Sequence, residues 1–131
     1  LSYFYLFSVQ RLGLTLLYSF LPVYKVSYDL LVDLFVFTKE FNKEYKYTVG
    51  ESIKKETIEM IVNIYRANSR KDKVKHIAKA RENIEVIRVL LRLLRDLKQV
   101  NIKKFARLND KCESASKQLT AWHKSSLNAT K

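Results

Sequence analysis

The residues that turn a chain are nearly missing from this sequence. It holds two glycines, Gly13 and Gly50, and one proline, Pro22. Sheet-rich folds turn often and favour both residue types at their turns, so this scarcity predicts few, long elements, which means helices. A single cysteine, Cys112, excludes an intrachain disulfide and a cysteine-based metal site, and it fits a reducing, cytoplasmic setting. The two histidines, His76 and His123, lie in different segments, and no H-E-x-x-H, Glu-x-x-His or Cys/His spacing occurs, so no metal or cofactor is expected. Neither glycine stands in a phosphate-cradling loop, and no serine stands in an elbow motif. The acids have basic neighbours three or four residues away, as Glu85 has Arg88, and read as solvated helix pairs rather than catalytic carboxylates. With no catalytic constellation in sight, an enzyme is not expected.

Acid is in short supply as well. Lysine and arginine total 25 against 13 aspartates and glutamates, a net charge of +12. Such an excess says nothing about fold, but it draws the protein toward polyanions: nucleic acid, acidic proteins or anionic membrane. A hydrophobic content of 47% is enough for a real core, and the length suits one domain.

Residues 1–22 stand apart from the rest. They read LSYFYLFSVQRLGLTLLYSFLP, with Arg11 as their one charged residue, and composition changes abruptly at Pro22. A membrane anchor is weakened by Gln10, Arg11, Gly13 and several serines. A signal peptide is weakened by the missing charged start and small-residue cleavage site. An upstream extension of the natural start is the reading favoured here, and a membrane role is not expected.

After Pro22, four segments show helical periodicity. In the first, residues 24–42, Val26, Leu30, Leu34, Phe37 and Phe41 mark one face, with Leu31 and Phe35 beside them; Lys25, Asp29, Asp33, Lys39 and Glu40 mark the polar face. Residues 42–47 read as a connection. The second opens on Thr48-Val-Gly-Glu51, the pattern of a capping box. Its apolar stripe is Val49, Ile53, Thr57, Met60, Ile61 and Ile64, with Lys54, Lys55, Glu56 and Glu59 toward water, and it ends at Asn68-Ser69. The third spans about residues 72–99, with Ile77, Ala80, Ile84, Ile87, Leu91 and Leu94 as a near-heptad seam. A second set, Val86, Leu90, Leu93, Leu97 and Val100, widens its apolar arc. Either this helix is central or its extra face meets another subunit; the second is favoured, because a bundle of four amphipathic helices has no fully buried member. The fourth spans about residues 102–123, with Phe105, Leu108, Cys112, Ala115, Leu119 and Trp122 in register. Residues 125–131 read as a loose tail. Short connections predict an all-α, antiparallel up-down-up-down four-helix bundle over residues 23–124.

The informative feature is where the cations fall. Arg66, Arg70, Lys71, Lys73, Lys75, Lys79 and Arg81 gather around the junction of the second and third helices, with Asp72 as the one acid among them. Arg81, Arg88, Arg92 and Arg95 share a narrow arc of the third helix, and Lys103, Lys104, Arg107 and Lys111 make a stripe on the fourth. Arginine suits bidentate contact with phosphate. These faces are the candidate sites for binding nucleic acid or a partner. Glu85 inside the arginine arc supports the competing reading, a salt-bridged surface. No helix-turn-helix glycine, zinc finger or ribonucleoprotein motif is present, so recognition of backbone and shape is expected.

Several runs carry a resemblance. YKYTVGESIKKETIE at 45–59, IYRANS at 64–69, ARENIEVIR at 80–88 and SKQLTAW at 116–122 follow in order. Together they resemble the four-helix bundle family of accessory variability determinant (Avd) proteins of diversity-generating retroelements, which includes proteins encoded in 23S rRNA intervening sequences. The resemblance covers residues 21–124, and residues 45–69 look closest to the retroelement branch. It implies a four-helix protomer that assembles into a barrel-shaped homopentamer. It also implies a basic surface that binds RNA or DNA and the retroelement reverse transcriptase, in support of mutagenic copying of a template RNA. The alternatives are an rRNA intervening-sequence protein and a structural homo-oligomer without a nucleic-acid role.

Overall fold

A computed structural model describes residues 21–69 and 71–130; residues 1–20, Arg70 and Lys131 lie outside the described residues. The described residues are helical, with no strand among them. Four long helices, α1 (Pro22–Thr38), α3 (Val49–Ser69), α4 (Lys73–Asp96) and α5 (Ile102–Ala129), are joined by short connections, and a one-turn helix α2 (Lys43–Lys46) sits in the first of them. α1 packs against α3 and α5, and α4 packs against α3 and α5. The helices therefore form a four-membered ring. Contacts across the seams fix their direction. Lys104 of α5 reaches Glu40 just past the end of α1, while Lys111, further along α5, reaches Asp33, further back in α1. Arg81 of α4 meets His123 of α5, whereas Arg88 meets Glu113. Neighbouring helices run antiparallel, as the short connections predicted.

The core is the apolar seam read from the sequence. Ile77, Ala80, Ile84, Ile87, Leu91 and Leu94 of α4 are all buried, as are Leu30, Leu34, Ile53, Met60, Ile64, Leu108, Cys112, Ala115 and Leu119. The second apolar set on α4 divides. Val100 is buried and Leu90 and Leu97 are partly covered within the protomer, while Val86 and Leu93 stay exposed. Two polar links run between α3 and α4: the Asn63 amide donates to Asn83 Oδ1 at 2.8 Å, and Asn83 donates to Glu56 at 2.6 Å.

Several local expectations need correction. Pro22 opens α1 at a position where its missing N–H costs no hydrogen bond. The capping box at Thr48 does not form. The Thr48 hydroxyl donates to the Glu44 carbonyl at 2.6 Å, because the α2 turn lies directly before it, and Glu51 pairs with Lys54 at 2.9 Å. Gly50 lets that turn sit close: a Cβ there would stand 3.1 Å from the Tyr45 carbonyl oxygen. Lys54 and Glu56 do not face water. Lys54 lies 4.6 Å from the Phe35 ring and its side chain is 14% exposed, its stem covering the α1–α3 seam, and Glu56 accepts from Asn83. Residues 125–129 are not a loose tail; α5 continues to Ala129 and buries Ser126.

α4 ends in a Schellman motif, with Gln99 N–H donating to the Leu94 carbonyl and Lys98 N–H to that of Arg95, both at 2.9 Å. Lys98 takes the left-handed position at φ 60°, which a side chain resists and glycine does not. The next helix is well begun, the Asn101 side chain accepting from Lys104 N–H at 2.8 Å. Replacing Lys98 with glycine should therefore stabilise the fold by about 1 kcal/mol. A urea titration checks this, and an unchanged or lowered midpoint would count against the strain.

Candidate nucleic-acid interface

The candidate cations fall into two groups once the helices are in place. In the first, side chains are engaged inside the protomer. Asp33, expected on the polar face of α1, is only 7% exposed. Arg107 grips it with Nε at 3.0 Å from Oδ2 and Nη2 at 3.2 Å from Oδ1, and Lys111 bonds the same Oδ2. Burial alone would raise the Asp33 carboxyl pKa. The hydrogen bonds and charges of Lys111 and Arg107 outweigh it and hold that pKa below the ordinary value, while Asp33 raises that of Arg107. Lys104 bonds Glu40 at 2.7 Å, which lowers the Glu40 carboxyl, and lies 5.1 Å from the Phe37 ring. Three members of the expected α5 stripe therefore clamp α1 to α5. Lys103 is exposed and has no carboxylate partner among the described residues.

The arginine arc of α4 divides in the same way. Arg88 bonds Glu113 across the α4–α5 seam and touches Glu85 at 3.4 Å. Arg95 pairs with Asp96 at 3.1 Å and stacks 4.9 Å from the Phe105 ring. Arg81 lies 3.1 Å from His123 Nδ1. Arg92 is exposed with no carboxylate partner among the described residues. The salt-bridged reading suggested by Glu85 describes two members of this arc, Arg88 and Arg95.

The second group is at the end of the bundle where α3 meets α4. Arg66, Lys71, Lys75 and Lys79 are exposed and Lys73 is partly so. None has a carboxylate partner among the described residues; Arg70 lies outside them. The antiparallel order brings the start of α1 and the end of α5 to this same end, adding Lys25 and Lys124, which sequence spacing alone did not associate with the junction. The first turn of α4 carries lysines and no acid, and the Asp72 side chain makes no capping hydrogen bond. Cations at a helix N-terminus oppose the helix dipole, so this end concentrates uncompensated positive charge. Beneath it lie polar atoms without hydrogen bonds: Ser27 Oγ, Asn68 Nδ2 and both ring nitrogens of His76. His76 Nε2 stands 3.3 Å from the Asp72 carboxylate, a close approach without hydrogen-bond geometry.

No group of three metal-ligating side chains occurs among the described residues. Burial pushes the Cys112 thiol up to about 12, with Arg88 opposing and Glu113 assisting, which removes the thiolate a nucleophile needs. No helix of the described residues is long and apolar enough to cross a membrane.

The arrangement defines a class: a basic antiparallel four-helix bundle with most of its flanking cations neutralised internally and those of one end left open. A family model described as bAvd-like matches residues 21–126, and the chain belongs to that family. A comparison with curated proteins finds no match.

Two outcomes are expected. Asp33→Asn should cost about 1 to 3 kcal/mol near neutral pH, since it leaves Lys111 without its charge partner. An aspartate whose folded pKa is lowered stabilises above its unfolded value, near 3.8, and loses that contribution as pH falls through the folded pKa. The gap between wild type and variant in urea midpoints should thus narrow below about pH 4; a gap independent of pH would exclude the ion cluster as its source. Separately, Cys112 should react with a thiol reagent at pH 8 only on the timescale of unfolding, and rapid labelling of the native protein would contradict its burial.

Proposed function

We propose that this protein is the non-catalytic accessory subunit of a diversity-generating retroelement, binding the reverse transcriptase together with template RNA or its cDNA in the cytoplasm. The observation that carries the reading is the open basic end of a bAvd-like bundle, where Arg66, Lys71, Lys73, Lys75 and Lys79 have no internal carboxylate partner among the described residues. A helix N-terminus rich in lysine and poor in acid favours phosphate. It offers no base-specific motif, so the end itself contacts backbone rather than sequence. Arg88, Lys104, Arg107 and Lys111 support the scaffold that holds this end in shape.

Self-association into a homopentamer belongs to the same proposal. The outer face of α1 exposes Tyr28, Val32, Phe35 and Val36, and α3 exposes Ile58 and Val62. Apolar patches of this kind mark protein contacts. They are more extensive than the extra α4 face from which a subunit contact was expected. The reading as a structural oligomer without nucleic acid draws on these residues and on the internal salt bridges.

The test separates the two readings. Lys71→Gln, Lys73→Gln, Lys75→Gln and Lys79→Gln combined should weaken RNA binding about 10- to 1000-fold at moderate salt. The slope of log affinity against log salt should flatten by about 0.7 for each phosphate no longer neutralised. Arg107→Gln should lower stability and leave affinity within about twofold. Co-purification with a reverse transcriptase encoded nearby tests the protein partner. Absence of both RNA and enzyme binding at moderate salt overturns the proposal in favour of a structural oligomer.

A further inference from the structure

Beside the basic end, a groove of about 500 Å³ opens between α4 and α5. Arg81, Glu82 and Glu85 line it from α4, and Ser116, Thr120 and His123 line it from α5. Arg81 and the two glutamates share this groove without pairing with one another. The Arg81 guanidinium turns to His123, with Nη1 3.1 Å from Nδ1; arginine has only donors, so this imidazole nitrogen accepts. Glu82 has no partner among the described residues, and Glu85 reaches only Arg88, at 3.4 Å. The groove therefore holds unspent guanidinium donors and unspent carboxylate acceptors within one turn of helix, facing hydroxyls that do both.

This lining selects by chemistry. A phosphate would meet two carboxylates and be repelled. An apolar ligand would bury charged groups without compensation. A neutral planar group with donors on one edge and acceptors on the next satisfies both. Guanine is such a group: O6 and N7 accept from a guanidinium, and N1–H and the N2 amine donate to a carboxylate. Only an unpaired base offers both edges, since pairing occupies the Watson–Crick one. Lys117 and Lys124 on α5 are exposed beside the lining residues Ser116 and His123 and suit the flanking phosphates.

The geometry points to this groove as a subsite for an unpaired guanine in single-stranded nucleic acid. The inference rests on the nucleic-acid role proposed above and adds a base preference to an end that otherwise reads only backbone. Arg81 takes the O6/N7 edge, and Glu82 or Glu85 takes the N1/N2 edge.

The test uses the full chain and fluorescence anisotropy with uracil-rich RNA strands of about 12 nucleotides. One strand carries two guanines, a second has inosine in their place, a third has 7-deazaguanine, and a fourth is uracil throughout. The guanine strand should bind about 5- to 50-fold more tightly than the uracil strand. Inosine, which lacks the N2 amine, and 7-deazaguanine, which lacks N7, should each lose most of that advantage. Glu82→Ala with Glu85→Ala, which removes both acceptors, should abolish the discrimination between guanine and inosine, and circular dichroism confirms that the variant is folded. The inosine and deazaguanine arms alter only the RNA, so they decide the matter whatever the variant does. Equal affinity for all four strands overturns the guanine subsite and leaves the backbone-binding role standing. No binding to any strand overturns both.

Discussion

Burial of one apolar seam along α4 determines where everything else in this protein goes. Ile77, Ala80, Ile84, Ile87, Leu91 and Leu94 recur at threes and fours, so they occupy one side of the helix and must be covered by α3 and α5. Once they are, the polar side chains of α4 can lie only on its flanks or at its ends. On the flanks they meet the neighbouring helix, and a cation there finds an acid: Arg88 finds Glu113 as Arg107 finds Asp33 across the α1–α5 seam. At the start of α4 the facing ends of α3 and α5, residues 60–69 and 114–130, carry no acid. The same seam that builds the core thus leaves the charge of Lys71, Lys73 and Lys75 unspent.

The seam was legible in the sequence because its period is fixed by the helix itself. All six expected residues of α4 are buried, and the breaks at Ser69 and near Gln99 follow from loss of that period. What was not legible is what depends on distance along the chain. Asp33 lies 74 residues from Arg107 and 78 from Lys111, and nothing in the local pattern of either helix announces the pairing. It turns an expected surface acid into a buried one and an expected open stripe into a clamp. Thr48 failed differently. Its pattern fits a capping box, but the α2 turn supplies a nearer carbonyl, which the hydroxyl prefers. The end of α5 was misplaced because Ser125, Ser126 and Asn128 are weak helix formers, whereas tertiary burial of Ser126 holds the helix together.

The candidate site was half legible. The clustering of cations around the α3–α4 junction is visible along the chain, and the structure keeps Arg66, Lys71, Lys75 and Lys79 exposed. The contribution of Lys25, Lys124 and His123 appears only when antiparallel packing folds distant termini to the same end. Charge counted along a sequence measures supply. Pairing in three dimensions decides how much of it remains available, and here Arg88, Arg95 and Arg107 are taken up by carboxylates.

The paired amides of Asn63 and Asn83 carry a consequence of a different kind. Each is buried, and Asn63 donates to Asn83, which in turn donates to Glu56. Replacing either alone strands an amide group of the other in the interior of the α3–α4 hairpin, whereas replacing both with well-packed apolar side chains leaves only the half-buried Glu56 carboxylate to find another donor. Lineages of this bundle that drift at one of these positions are therefore expected to drift at the other as well, so that the two columns change together although twenty residues separate them.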